Sequence, residues 1–160
     1  MPLSPFSKSG TTMKRRQFLE IFPLAAAATS LLALLGCSRE PTTGPVEIKW
    51  DRDVDPRCSM VISDQRFAAQ IRDPNRKVTK FDDIGCAMFW LMAQPFSEQT
   101  PNTEYWVADY RQGGWIDARQ AHYLEGKKSP MGYHFAALAA AEAGTISYQE
   151  MKKRILSRGK

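Results

Sequence analysis

Between Asp83 and Pro95 the chain reads Ile84-Gly85-Cys86-Ala87-Met88-Phe89-Trp90-Leu91-Met92-Ala93-Gln94, apolar until its last residue. No other stretch of the C-terminal part constrains the fold as strongly. Asp82 or Asp83 can cap a helix here, and Pro95 stops it. The run predicts a buried helix of about three turns. A helix that is apolar all round must be covered on every side, so the remaining segments have to wrap it. On this helix Cys86, Met88 and Met92 read as packing residues, because Cys and Met in apolar surroundings are usually core.

The wrapping must come from fewer than the full 160 residues. Met13-Lys14-Arg15-Arg16-Gln17-Phe18-Leu19 is a basic segment with a twin-arginine pair, and the apolar run 21–36 follows it. That pattern predicts an export signal of the twin-arginine type over residues 1–36. The run is shorter than the roughly 20 residues needed to span a bilayer. It ends in Leu34-Leu35-Gly36-Cys37, which resembles a bacterial lipobox with Cys37 as the lipidated residue. Residues 37–45, polar with Pro41 and Gly44, read as a flexible tether. The expected location is therefore the periplasm, anchored to a membrane through lipid. The leader holds four of the 22 basic and one of the 17 acidic side chains, leaving the mature part near +2 against +5 for the whole chain. Nothing in that balance implies nucleic acid.

Beyond the tether, residues 46–50 alternate as a short strand, and 51–57 form a charged loop with Pro56. Residues 58–63 read as a strand, followed by strands at 67–72 and 78–81. After the apolar helix come strand signals at 105–110, 115–118 and 121–124. The alanine-rich run 136–143, closed by Gly144, predicts a helix. Ser147-Tyr148-Gln149-Glu150 matches a capping box opening a last helix from about residue 148 to 156. Two blocks emerge, about 56–94 and 104–143. Each is too small to bury much core alone, so they are expected to pack together as one α+β domain.

Cys58-Ser59-Met60 carries the chemistry. In a strand, residues i and i+2 share a face, which would set a thiol beside a thioether. Such soft donors favour Cu(I) over Mg, Ca or Mn. The competing reading is two ordinary apolar residues. An oxidising compartment adds another, a Cys58–Cys86 disulfide in a metal-free structural lipoprotein.

The flanking residues resemble the NosL family of accessory lipoproteins of nitrous oxide reductase assembly. The resemblance runs through Cys58-Ser59-Met60, Phe67-Ala68-Ala69-Gln70-Ile71 and Lys80-Phe81-Asp82-Asp83-Ile84-Gly85-Cys86. It continues in Tyr105-Trp106-Val107-Ala108-Asp109-Tyr110, Trp115-Ile116-Asp117-Ala118 and Pro130-Met131-Gly132. The family's motif often has Gly between the Cys and the Met, where this chain has Ser59. The resemblance implies two small ββαβ-like units packed into one domain over residues 46–160, with a C-terminal helix. It implies a non-enzymatic Cu(I) metallochaperone that serves a copper enzyme such as nitrous oxide reductase. Its partners would be a copper-delivery or ABC-type assembly complex and the apo enzyme. Cys58 and Met60 are then the metal ligands, with Met131 as the third and His134 as the alternative. The family fold is similar to one seen in organomercury lyase, which leaves a lyase-like activity as a further alternative.

Overall fold

The computed structural model describes residues 41–159, so the expected export signal, the lipobox with Cys37 and the first residues of the tether lie outside the described residues. The described part is α+β, with two small antiparallel sheets, a helix between strands and a C-terminal helix. Strands β1 (Ala69–Arg72) and β2 (Val78–Phe81) form a hairpin in which Ala69 pairs with Phe81. Helix α1 (Ile84–Met92) follows, and β3 (Glu104–Ala108) then returns to the open edge of β1. That strand–strand–helix–strand unit is extended by β4 (Trp115–Asp117), giving the order β2-β1-β3-β4. The second sheet has β5 (His122–Glu125) between β6 (Phe135–Leu138) and β7 (Thr145–Ile146). Helix α2 (Tyr148–Ser157) closes the chain. No helix among the described residues is long and apolar enough to cross a membrane.

Both sheets and both helices contribute to one main core. It gathers Ile71, Phe81, Met88, Tyr105, Tyr123 and Met151, among others. Helix α1 starts as the sequence implies, with the Asp83 side chain accepting from the Gly85 amide at 2.9 Å. Its covering is less complete than a wholly apolar run suggests. Cys86 and Met88 are buried, but Phe89 and Trp90 are half-buried and Met92 is exposed. Helix α2 starts on Ser147, whose hydroxyl accepts from the Glu150 amide. The Glu150 carboxylate pairs with Arg154 Nε at 2.8 Å on the same helix.

Three sequence expectations are corrected. Residues 46–50 form no strand. The buried Gln70 amide meets both polar groups of Val46, donating to its carbonyl and accepting from its N–H, each at 2.9 Å. A side chain thus supplies what a strand partner would. The alanine-rich run is not a helix, since its first part is strand β6, buried at all four positions and paired with β5. A strand covered on both faces reads as a continuous apolar run, and periodicity cannot separate it from a buried helix. Residues 58–63 form no strand either, and that difference shapes the site described below.

Gly85 shows how closely the first turn of α1 is packed. A Cβ there would lie 2.0 Å from Tyr133 Cγ, and Tyr133 is itself buried. Alanine is the better helix former by about 0.8–1 kcal/mol, while overpacking a core costs about 1–3 kcal/mol. A contact this short belongs at the upper end, so Gly85→Ala should lower stability by about 2 kcal/mol. Urea denaturation of the two proteins measures it.

Candidate metal centre

Cys58 sits at the bend of a tight loop. Val54 and Val61 form an isolated antiparallel bridge across its neck. Inside, the Asp55 amide donates to the Met60 carbonyl at 2.9 Å, and the Ser59 amide donates to the Asp55 carbonyl at 2.8 Å. Ser59 has φ +60°. The chain therefore reverses between Cys58 and Met60, and the two side chains do not share a strand face. Cys58 is half-buried against the core, whereas Met60 is 48% exposed. The exposed Val54 and Val61 flank it, giving the loop an apolar lip.

Asp55 builds this loop from within. It is fully buried. Its Oδ1 accepts from the Arg57 amide at 2.8 Å and the Cys58 amide at 3.4 Å, and its Oδ2 accepts from the Asp82 amide at 3.1 Å. The last bond ties the Cys58 loop to the residue before the α1 N-cap. The N-cap itself holds a second loop, because Asp83 Oδ2 accepts from the Ser129 hydroxyl at 2.6 Å and the Met131 amide at 3.0 Å. Adjacent residues thus fasten the Cys58 and Met131 loops to the same end of α1.

Cys86, in the first turn of that helix, is the residue the sequence reads as core or as a disulfide partner of Cys58. It is buried, but its sulfur does not face apolar side chains alone. The Cys86 Sγ, the Cys58 Sγ and a carboxylate oxygen of Asp55 lie within 4.8 Å of one another. Both cysteines are free thiols. Two signals could have found this cluster. Asp three residues before Cys58 favours a side-chain-to-backbone turn, and Cys86 follows a capping Asp at a helix N-terminus, where thiols often react.

Electrostatics keep both sulfurs protonated. Burial pushes the Cys58 thiol up, and the Asp55 carboxylate adds to that, while the Met60 amide pulls it partly back. Burial pushes Cys86 far above the ordinary thiol range, reinforced first by Asp55. An arriving cation would reverse this balance, since metal binding displaces thiol protons. Burial also raises Asp83, against the donors from Ser129, Gly85 and Met131.

The two candidates for a third ligand, Met131 and His134, are placed differently. Met131 is half-buried against the core, its amide fixed by Asp83. His134 is exposed, with φ +64°, and its Nδ1 lies 3.2 Å from the Lys127 carbonyl. Asp109 and Asp117 hold turns, Asp109 accepting from the Arg111 and Gln112 amides and Asp117 from the Arg119 amide.

Two measurements test this geometry. An L-residue pays about 1–2 kcal/mol in the left-handed region that glycine enters freely. Ser59→Gly should therefore raise stability by up to about 1 kcal/mol in urea denaturation, after glycine's greater unfolded-state entropy is set against the relief. Alkylation tracks the thiolate. In the folded protein, Cys58 should reach half-maximal alkylation above pH 9.0, the ordinary thiol value, with Cys86 reacting only on unfolding.

A family model described as NosL matches residues 45–155. No curated protein matches the chain. Among solved structures, the crystal structure of the copper chaperone NosL from Shewanella denitrificans is similar, with 16% identity and a TM-score of 0.48, covering 73% of this chain and 88% of that one. With most of its length inside the family match, this chain belongs to the NosL family.

Proposed function

We propose that this protein is a Cu(I) metallochaperone, held at the periplasmic side of a membrane by lipid on Cys37. It passes copper to a copper enzyme such as nitrous oxide reductase, directly or through an ABC-type assembly complex, and catalyses no reaction of its own. Family membership supports copper handling. The observation that carries the reading is the grading of soft donors by exposure. A half-buried thiol at Cys58 sits two residues from the exposed Met60 thioether, on a loop braced by Asp55. Thiolate and thioether suit Cu(I). The Asp55 oxygens are hard donors already engaged by three backbone amides, which suits them to holding the loop rather than the ion.

Met131 is the third ligand in this reading, and His134 the alternative. The Met131 loop is fastened beside the Cys58 loop at the α1 N-terminus, whereas His134 is exposed and its Nδ1 lies against the Lys127 carbonyl.

The closeness of Cys58 to Cys86 supports a second reading, a disulfide-stabilised lipoprotein without metal. Thiol counting on protein isolated from the periplasm separates the two, with two free thiols favouring the chaperone and none the disulfide.

Competition against a Cu(I)-specific chelator tests the main reading. Reduced protein should bind one Cu(I) tightly. Cys58→Ser should abolish that binding, and Met60→Leu should weaken it several-fold. A Cys58→Ser protein that competes as well as the wild type overturns the assignment.

A further inference from the structure

Cys86 has no part in the Cys58–Met60 pair, yet its sulfur lies within 4.8 Å of the Cys58 sulfur. Two metal–sulfur bonds of about 2.3 Å in a near-linear arrangement span about 4.6 Å. The two sulfurs are therefore close enough for one ion to bind both. The two cysteines come from different elements, a loop and a helix, 28 positions apart. They are brought together by the bond from the Asp82 amide to Asp55.

We propose that Cys58 and Cys86 form a recessed two-thiolate seat for Cu(I), with Cys58 shared between this inner seat and the outer Met60. The proposal rests on the copper-handling reading above and extends it from one seat to two. Loading the inner seat forms two copper–sulfur bonds and releases the two thiol protons to solvent. Outward movement keeps the Cys58–copper bond. The Cys86–copper bond breaks, the Cys86 thiolate takes a proton from water, and the Met60 sulfur takes the vacated position. Copper stays Cu(I) throughout, so the exchange needs neither oxidant nor reductant. The buried seat protects the ion from solvent, and the exposed thioether presents it.

X-ray absorption at the copper edge, combined with chelator competition, tests this. Cys86→Ser should lower Cu(I) affinity at least about tenfold, the lower end of what even indirect contacts to a metal are worth. It should also bring a Met60 thioether into the copper shell in place of the lost thiolate, an exchange that Cys86→Ser combined with Met60→Leu prevents. Because Cys86 is buried and its replacement can perturb folding, a second variant leaves the inner seat untouched. Met60→Leu/Met131→Leu removes both thioethers and should keep two sulfurs on copper. A single sulfur in that double variant overturns the inner seat, as does wild-type affinity in a folded Cys86→Ser protein. In either case tight binding that still depends on Cys58 leaves the chaperone reading standing. A wild-type protein that binds no Cu(I) overturns both.

Discussion

Two buried carboxylates at one helix end organise the molecule. Removing a carboxylate from water is costly unless hydrogen bonds replace the lost hydration, and in Asp55 and Asp83 backbone amides do most of the replacing. Asp55 accepts from residues 57, 58 and 82, and Asp83 from residues 85 and 131 together with the Ser129 hydroxyl. Each carboxylate therefore fixes a loop and the start of α1 in one set of bonds. Replacing either by an apolar residue would leave several donors without acceptors, at about 1–3 kcal/mol for each that stays buried. This construction sets where Cys58 lies more directly than any sheet does, since no strand carries it.

The packing around that helix end leaves little freedom for adjustment. Tyr133 lies on Gly85 where a side chain would otherwise stand, and Arg57 places its guanidinium 4.9 Å from the centre of the Phe89 ring. Both contacts brace segments next to the thiols. A site held this way can keep two thiols close without a covalent link, because the approach is imposed by hydrogen bonds and packing on both sides.

Much of this architecture is legible in the sequence, and the failures have physical causes. The helix after Asp83, the hairpin before it and the Ser147 cap follow from local signals, and the structure places them within a residue or two. The alanine-rich strand was hidden because intrinsic propensity favours helix while burial between neighbours favours small side chains in either state. The strand expected at 46–50 fails because Gln70, distant in sequence, takes over its hydrogen bonds. At the site, Cys58 and Met60 are legible as candidate donors, but the way they face is not. Two residues in a strand share a face, whereas two residues around a left-handed Ser59 diverge. The glycine common in the family's motif was a clue to that turn, since glycine suits positive φ. Cys86 is legible as a core residue or as a disulfide partner of Cys58. That its sulfur stands beside Asp55 as well depends on a loop 28 positions away, which local periodicity does not encode.

In the copper-handling reading, divergence of the two side chains is useful rather than incidental. A protein that holds a soft ion tightly and still gives it up must avoid a step in which the ion loses a ligand before gaining another. Donors on one face would surround the ion equally and expose it to a recipient on no preferred side. A turn at Ser59 instead leaves the thiol directed into the protein and the thioether out at the lip formed by Val54 and Val61. A recipient's donor can then enter beside Met60 while Cys58 still holds on. Apolar contact at the lip excludes water from the exchange. The weaker, neutral thioether is the donor nearest solvent and the charged thiolate the one farther in, so the order of release follows from the order of exposure.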